Sequence, residues 1–196
     1  VERVVIKTEN FEQVEATSVA ELRAWLEANH TQHESIWLVT YKKHTGARYV
    51  SRQQVLDELL CFGWIDGIAR KLDDDRIMQL LSPRRVQHWA KSYKDRAARL
   101  IQEGRMRPAG LQAIEESKRQ GLWDVMNDVD ALMVPDDLAA ALHARPPAAE
   151  HFAALAPSYR RNVLRWIALA KTSATRARRI EQTVVLAARG EKVPQM

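Results

Sequence analysis

The stretch Leu56–Lys91, LDELLCFGWIDGIARKLDDDRIMQLLSPRRVQHWAK, decides how this chain is read. Its first part continues a helical stripe of Val55, Leu56, Leu59 and Leu60, which Gly63 stops. Beyond Asp66-Gly67 the period falls to two: Ile68, Arg70 and Leu72 alternate with Ala69 and Lys71. Asp73-Asp74-Asp75 turns the chain, Ile77–Leu81 returns, and Pro83, which has no N–H for a ladder, ends the hairpin. A switch from helix to hairpin within one stretch predicts a mixed domain. The same segment holds the single Cys, two of the six Trp, and a Pro-Arg-Arg step. Indole, carboxylate and guanidinium groups so close together predict a polar pocket with an apolar floor.

Upstream, Ser18 and Glu21 have capping-box spacing, and Val19, Leu22, Trp25 and Leu26 follow on one helical face. Ile36–Tyr41 is β-branched and aromatic, so it reads as a buried strand. Gly46 lies in a turn that sends Tyr49-Val50 back as a short strand, and Ser51 with Gln54 forms a second capping box. Downstream, Ser92 is the expected cap of a helix with Tyr93, Ala97, Leu100 and Ile101 on one face, closed by Gly104. Pro108 opens another, with Leu111 and Ile114 inward, closed by Gly121. The acidic, Ala-rich segment after Trp123 reads as a connector with one short helix over 136–144, broken by Pro146-Pro147. Ser158 is expected to cap a helix carrying Val163, Leu164 and Ile167. Thr172 or Ser173 caps a last one carrying Ala177, Ile180 and Val184, stopped by Gly190. The expected fold is α+β: a small antiparallel sheet with packing helices in residues 1–123, then an all-helical part over 124–196.

With 46% hydrophobic and 28% charged residues the chain has the composition of a globular protein. The apolar run Leu59–Ile65 is too short to cross a bilayer, and the opening VERVVIKTEN carries charges where a signal peptide needs an apolar run. One Cys allows no internal disulfide. A reducing cytoplasm is therefore the expected location. The net charge of +5 is uneven: residues 158–192 carry nine Lys/Arg against two acids. Arg160, Arg161, Arg176, Arg178 and Arg179 make that region a candidate basic surface, although such a run is usually a solvated helix face.

Cys61, late in a helix between Leu60 and Phe62, reads as a buried structural thiol. His30 and His33 lack the further ligands a zinc site needs, and three consecutive acids in a turn cannot all face one ion. No metal and no cofactor are expected, and no phosphate loop or nucleophile elbow is present. The candidate ligand-binding residues are Trp64, Asp66, Arg70, Arg76, Arg84, Arg85 and Trp89. An Asp among several Arg is commonly a structural ion-pair network. A guanidinium fork beside an indole also suits a carboxylate or phosphate, because Arg binds such groups bidentately. Of Arg84 and Arg85, one is expected to pair with Asp66 and the other to stay free for a ligand.

With these residues in view the chain resembles the bacteriocin-protection family, also called YdeI or OmpD-associated (OmdA-like) proteins. The resemblance runs nearly full length, through IWLVTYKKHTG, CFGWIDGIARKLDD, SPRR with Trp89, LIQEGRMRPAGL and PSYRRNVLRWIALAKTSATRARRIEQTV. The Gly-Trp-Ile-Asp corner followed by Pro-Arg-Arg is its specific part. The family pattern places a Ser on each side of Trp89, where this chain has His88 and Ala90. The resemblance implies a small bacterial protein linked to peptide-toxin tolerance and, by name, to an outer-membrane porin, and it implies no reaction. The expected function is thus non-enzymatic binding of an anionic small molecule or a protein in envelope stress. An enzyme acting on an anionic metabolite at Trp64, Asp66 and Arg84 is the rival, and nucleic acid is a weaker third partner.

Overall fold

The computed structural model describes residues 10–85 and 87–193. The chain divides into two compact units, Val1–Trp123 and Asp124–Met196. In the first unit, the described residues form one four-stranded sheet. Its strands are β1 (Gln13–Glu15), β2 (Ile36–Tyr41), β3 (Trp64–Lys71) and β4 (Arg76–Pro83), in the order β1-β2-β4-β3. β2 is buried along its whole length, as its sequence predicts. The sheet is mixed rather than wholly antiparallel, because β1 pairs parallel to β2. A parallel neighbour needs a crossover, which α1 (Val19–Asn29) supplies. Three residues are too few to show an alternation, so β1 left no readable signal.

The hairpin begins earlier than its period-two signal. Trp64 pairs with Pro83 and Lys71 with Ile77, with a register irregularity between Asp66 and Ala69. That bulge at Gly67 breaks the alternation, which hid the first residues of β3. The expected return strand at Tyr49-Val50 is absent. Lys43–Arg48 instead winds into 3-10 turns kinked at Gly46, whose φ is +69°, and Tyr49 makes only an isolated parallel bridge to Tyr41.

The central element is α2 (Arg52–Cys61), in which every residue from Val55 to Cys61 is buried. The Ser51–Gln54 capping box is complete, and Gly63 leaves the helix at φ +71°. At α1, Ser18 Oγ accepts the Glu21 N–H, but the Glu21 carboxylate bonds to Thr17 rather than closing the box. α3 (Lys91–Gln102) begins with Ala90 at its cap position, two residues ahead of the Ser92 cap expected, and Ile101 is 48% exposed. α4 (Pro108–Arg119) has its proline in the first turn, as its sequence predicts. Its buried face is Gly110, Ile114 and Ser117, and Leu111 lies outside it. A Cβ on Gly110 would sit 2.5 Å from the Cys61 carbonyl oxygen and 2.6 Å from that of Leu60. The glycine therefore allows α4 to rest directly on the end of α2. These helices and the inner sheet face share one core, with Leu22, Leu26, Ile36, Leu38, Leu59, Leu60, Trp64, Leu81, Trp89 and Leu100 inside it.

The second unit is helical throughout its described secondary structure: α5 (Asn127–Asp130), α6 (Asp136–His143), α7 (Ala148–Ala154), α8 (Pro157–Ala168) and α9 (Ser173–Ala188). The expected connector thus holds more helix than its single predicted one. Met126, Leu138, Leu142, Phe152, Val163, Leu164, Ile167, Ile180 and Val184 form its core. Ser158 lies inside the first turn of α8, after Pro157, and does not cap it. Thr172 Oγ1 accepts the Thr175 N–H and caps α9. Among the described residues, no helix is long and apolar enough to cross a membrane.

Candidate functional site

Trp64 opens β3 directly after Gly63 and turns inward, where it is 1% exposed. Its indole N–H donates to the His30 carbonyl at 2.9 Å, and its ring meets Trp25 edge-on at 5.6 Å. It belongs to the core and not to a pocket wall. Asp66, two residues on, accepts from three side chains. Oδ2 receives Arg52 at 2.8 Å and Gln79 at 3.0 Å, while Oδ1 receives the Tyr93 hydroxyl at 2.7 Å. The pairing expected between Asp66 and the Pro-Arg-Arg step is therefore not formed. Arg52, at the start of α2, reaches the carboxylate first.

Arg84 leaves the end of β4 with its N–H donating to the Gly63 carbonyl at 2.8 Å. Its guanidinium lies over Trp89, Cζ to ring centroid 3.9 Å, and 5.4 Å from the Tyr93 ring. Trp89 itself is fully buried, its indole N–H held by Ser117 Oγ at 2.7 Å. A cation over an indole face is attracted by the ring quadrupole. That attraction does not satisfy its donors. Nη2 has one long bond to the His88 carbonyl at 3.4 Å, and Nε and Nη1 are buried without a hydrogen-bond partner. Among the described residues no carboxylate pairs with it, and burial pulls its pKa down to about 10. Arg85, next in sequence, is exposed.

The two arginines stand between two openings. A cavity of about 240 Å³ is lined by Arg84, Arg85, His30, Phe62, Gly63 and the α4 residues Ala109, Gln112, Ala113 and Glu116. A cleft of about 740 Å³ is lined by the same arginines with Phe11, His33, Glu34, Ser35, Ile65, Leu80, Ser82, Pro83 and Gln87. The other predicted members of the cluster are elsewhere. Arg76 sits at the opposite end of β4, bound to Asp73 and Glu15. Arg70 is exposed and stacks over Trp37 at 5.2 Å. Seven residues of strand separate Arg76 from the step's Pro83, about 23 Å at the usual rise. Of the predicted cluster, only Arg84 and Arg85 line these openings, with the buried Trp89 ring beneath Arg84, so the candidate site narrows to the two arginines.

Tyr93, His30 and Gln112 were not legible as site residues. Tyr93 carries the chain of contacts from Arg84 to Asp66, and burial, then its bond to Asp66, pushes its pKa up to about 12. A phenol with a raised pKa contributes stability that is complete below its unfolded value near 10 and is lost as pH climbs through 12. Alkaline absorbance titration of the chain and of Tyr93→Phe is expected to differ by one tyrosinate forming near pH 12, and loss of a transition near 10 instead would show Tyr93 to be solvated.

Elsewhere in this unit, Cys61 is fully buried and burial raises its thiol pKa, so it is a poor nucleophile. Among the described residues no cluster of His, Cys, Asp and Glu could hold a metal ion. In the second unit, Arg176 makes a two-point bond to Asp137, Arg161 lies 3.8 Å from Asp130, and Arg179 bonds the Trp166 carbonyl over that residue's ring. Arg160 lies 6.0 Å from the Phe152 ring centroid, and Arg178 is exposed. Arg160, Arg161, Arg176 and Arg179 thus each have a different local contact.

Residues 14–113 match a family described as a domain of unknown function (DUF8412), and residues 131–190 match the bacteriocin-protection, YdeI or OmpD-associated family. No curated protein and no solved structure gives a match. The Gly-Trp-Ile-Asp corner and the Pro-Arg-Arg step fall inside the first match, whereas the YdeI or OmpD-associated match is confined to the helical part. The chain thus belongs to the DUF8412 family, whose model covers half of it, and over residues 131–190 its helical part is similar to the bacteriocin-protection, YdeI or OmpD-associated family.

Proposed function

We propose that this chain is a cytoplasmic, non-enzymatic protein of the bacteriocin-tolerance type that acts by binding an anion at Arg84 and Arg85. One observation carries the reading. Arg84 is a partly buried cation with two unsatisfied nitrogens and, among the described residues, no ion pair to a carboxylate, yet it lines two openings. Unpaired buried charge is expensive, and a protein keeps it where a ligand completes it. An incoming oxyanion would draw the guanidinium off the indole, exchanging a bare stack for charge-assisted hydrogen bonds. The family description supports the tolerance role. Catalysis is not proposed, because the shifted groups facing the step, Arg84 and Tyr93, titrate far from neutrality and neither suits proton transfer there.

Titration with inorganic phosphate, followed by tryptophan fluorescence, tests this reading. Arg84→Met and Arg85→Met are each expected to weaken binding at least tenfold. Arg84→Met also removes an unpaired buried charge, so its melting transition should stay within about 1 kcal/mol of the parent or rise. Equal phosphate affinity in the parent and both variants overturns the assignment.

A further inference from the structure

The larger of the two openings says more about the ligand than its charge. Alternation along the hairpin sends Trp64, Asp66 and Leu81 to the core, and Ile65, Leu80 and Ser82 to the opposite sheet face. Ile65 and Ser82 are register partners, and Leu80 is two residues from Ser82 on the same face. With Phe11 and Pro83 these side chains give the cleft an apolar wall that ends at Arg84 and Arg85. Beside the arginines, its polar side carries His33, Glu34, Ser35, Ser82 and Gln87. The Ser35 and Ser82 hydroxyls bond to each other at 2.7 Å, which leaves each with spare capacity. At about 740 Å³ the cleft is several times the size a bare oxyanion needs, and lies within the range of organic-ligand pockets.

We propose that the ligand is an amphipathic organic anion, its phosphate or carboxylate head on Arg84 and Arg85 and its apolar body along Ile65, Leu80, Pro83 and Phe11. This rests on the anion reading above and adds the body to it. Head and wall act together: the guanidinium pair fixes one end, and removal of the apolar wall from water supplies the remaining affinity. The exposed Glu34 also lines the cleft and disfavours a second negative charge there, so a singly headed anion is the fit.

The test is a series of monoalkyl phosphates, ethyl to octyl, kept below their micelle concentrations and compared with inorganic phosphate by isothermal titration. Affinity is expected to rise about fourfold per added methylene until the cleft is filled. Leu80→Asn should flatten that rise. Arg85→Met should weaken every member of the series by a similar factor, because it removes a contact to the shared head. If phosphate and octyl phosphate bind equally, and both need Arg85, the apolar body is refuted while the anion site stands. If alkyl phosphates bind Arg84→Met and Arg85→Met as tightly as they bind the parent, or nothing binds the parent, the anion reading falls and takes this one with it.

Discussion

Trp64→Ala is expected to destabilise the first unit by about 3–5 kcal/mol, the loss typical of emptying a buried aromatic site. Three features place it at the upper part of that range. The ring is 1% exposed, it meets Trp25 at a right angle, and it lies in the main core with Leu59, Leu60 and Trp89. Its N–H also holds the His30 carbonyl, at the end of α1, so removal leaves that acceptor without this donor. Collapse around the vacancy is hindered because Gly63 before it is fixed at positive φ and packs 3.0 Å, by its missing Cβ, from the Ala109 carbonyl. Trp64→Phe should recover most of the loss, since it keeps the edge contact with Trp25 and forfeits the hydrogen bond. Chemical denaturation of both variants measures this, and a loss under about 1 kcal/mol for the alanine variant would place the indole in an open pocket.

The parts of the fold that were legible in the sequence share one property: a local signal strong enough to need no partner. β2 announces itself by six apolar or β-branched residues, and α2 by a capping box at one end and a glycine at the other. What failed depended on tertiary context. β1 is defined only by lying beside β2, and Leu111 lost its inward place because Gly110 lets α2 come close. The candidate site was half legible. Pro83, Arg84, Arg85 and Trp89 were found because proline fixes where the strand ends. Arg70 and Arg76 joined the list by nearness in sequence, although a hairpin returns the chain and carries them to the far turn. Asp66 was matched to the wrong arginine because its true partner comes fourteen residues earlier, at the opposite end of a helix. A carboxylate chooses among the cations the fold presents, and the sequence does not show which those are.

Glu58→Gln is expected to cost about 3–5 kcal/mol, as large a loss as that of any core residue, although no apolar surface is removed. Asp57 and Glu58 look like the polar side of an amphipathic helix, yet α2 is buried around that point and their side chains are 12% and 2% exposed. They are tolerated because arginines converge on them from three directions. Arg23 of α1 and Arg105, beyond α3, reach Glu58 at 2.7 and 2.6 Å; Arg96 and Arg99 of α3 reach Asp57. Removing one charge leaves Arg23 and Arg105 facing a neutral amide, with their desolvation unreturned. The exposed neighbour provides the control. Glu103, 39% exposed, bonds both Arg99 and Arg105, and Glu103→Gln should cost no more than about 1 kcal/mol because water replaces the lost partner. The two variants should also part with salt. Raising ionic strength screens the Glu103 contacts and leaves the Glu58 deficit nearly unchanged, since a Debye length of about 10 Å at 0.1 M describes ions in solvent and not a pair shielded from it. Equal losses for the two substitutions in urea denaturation would mean that Glu58 is solvated, and that α2 is held by its apolar residues alone.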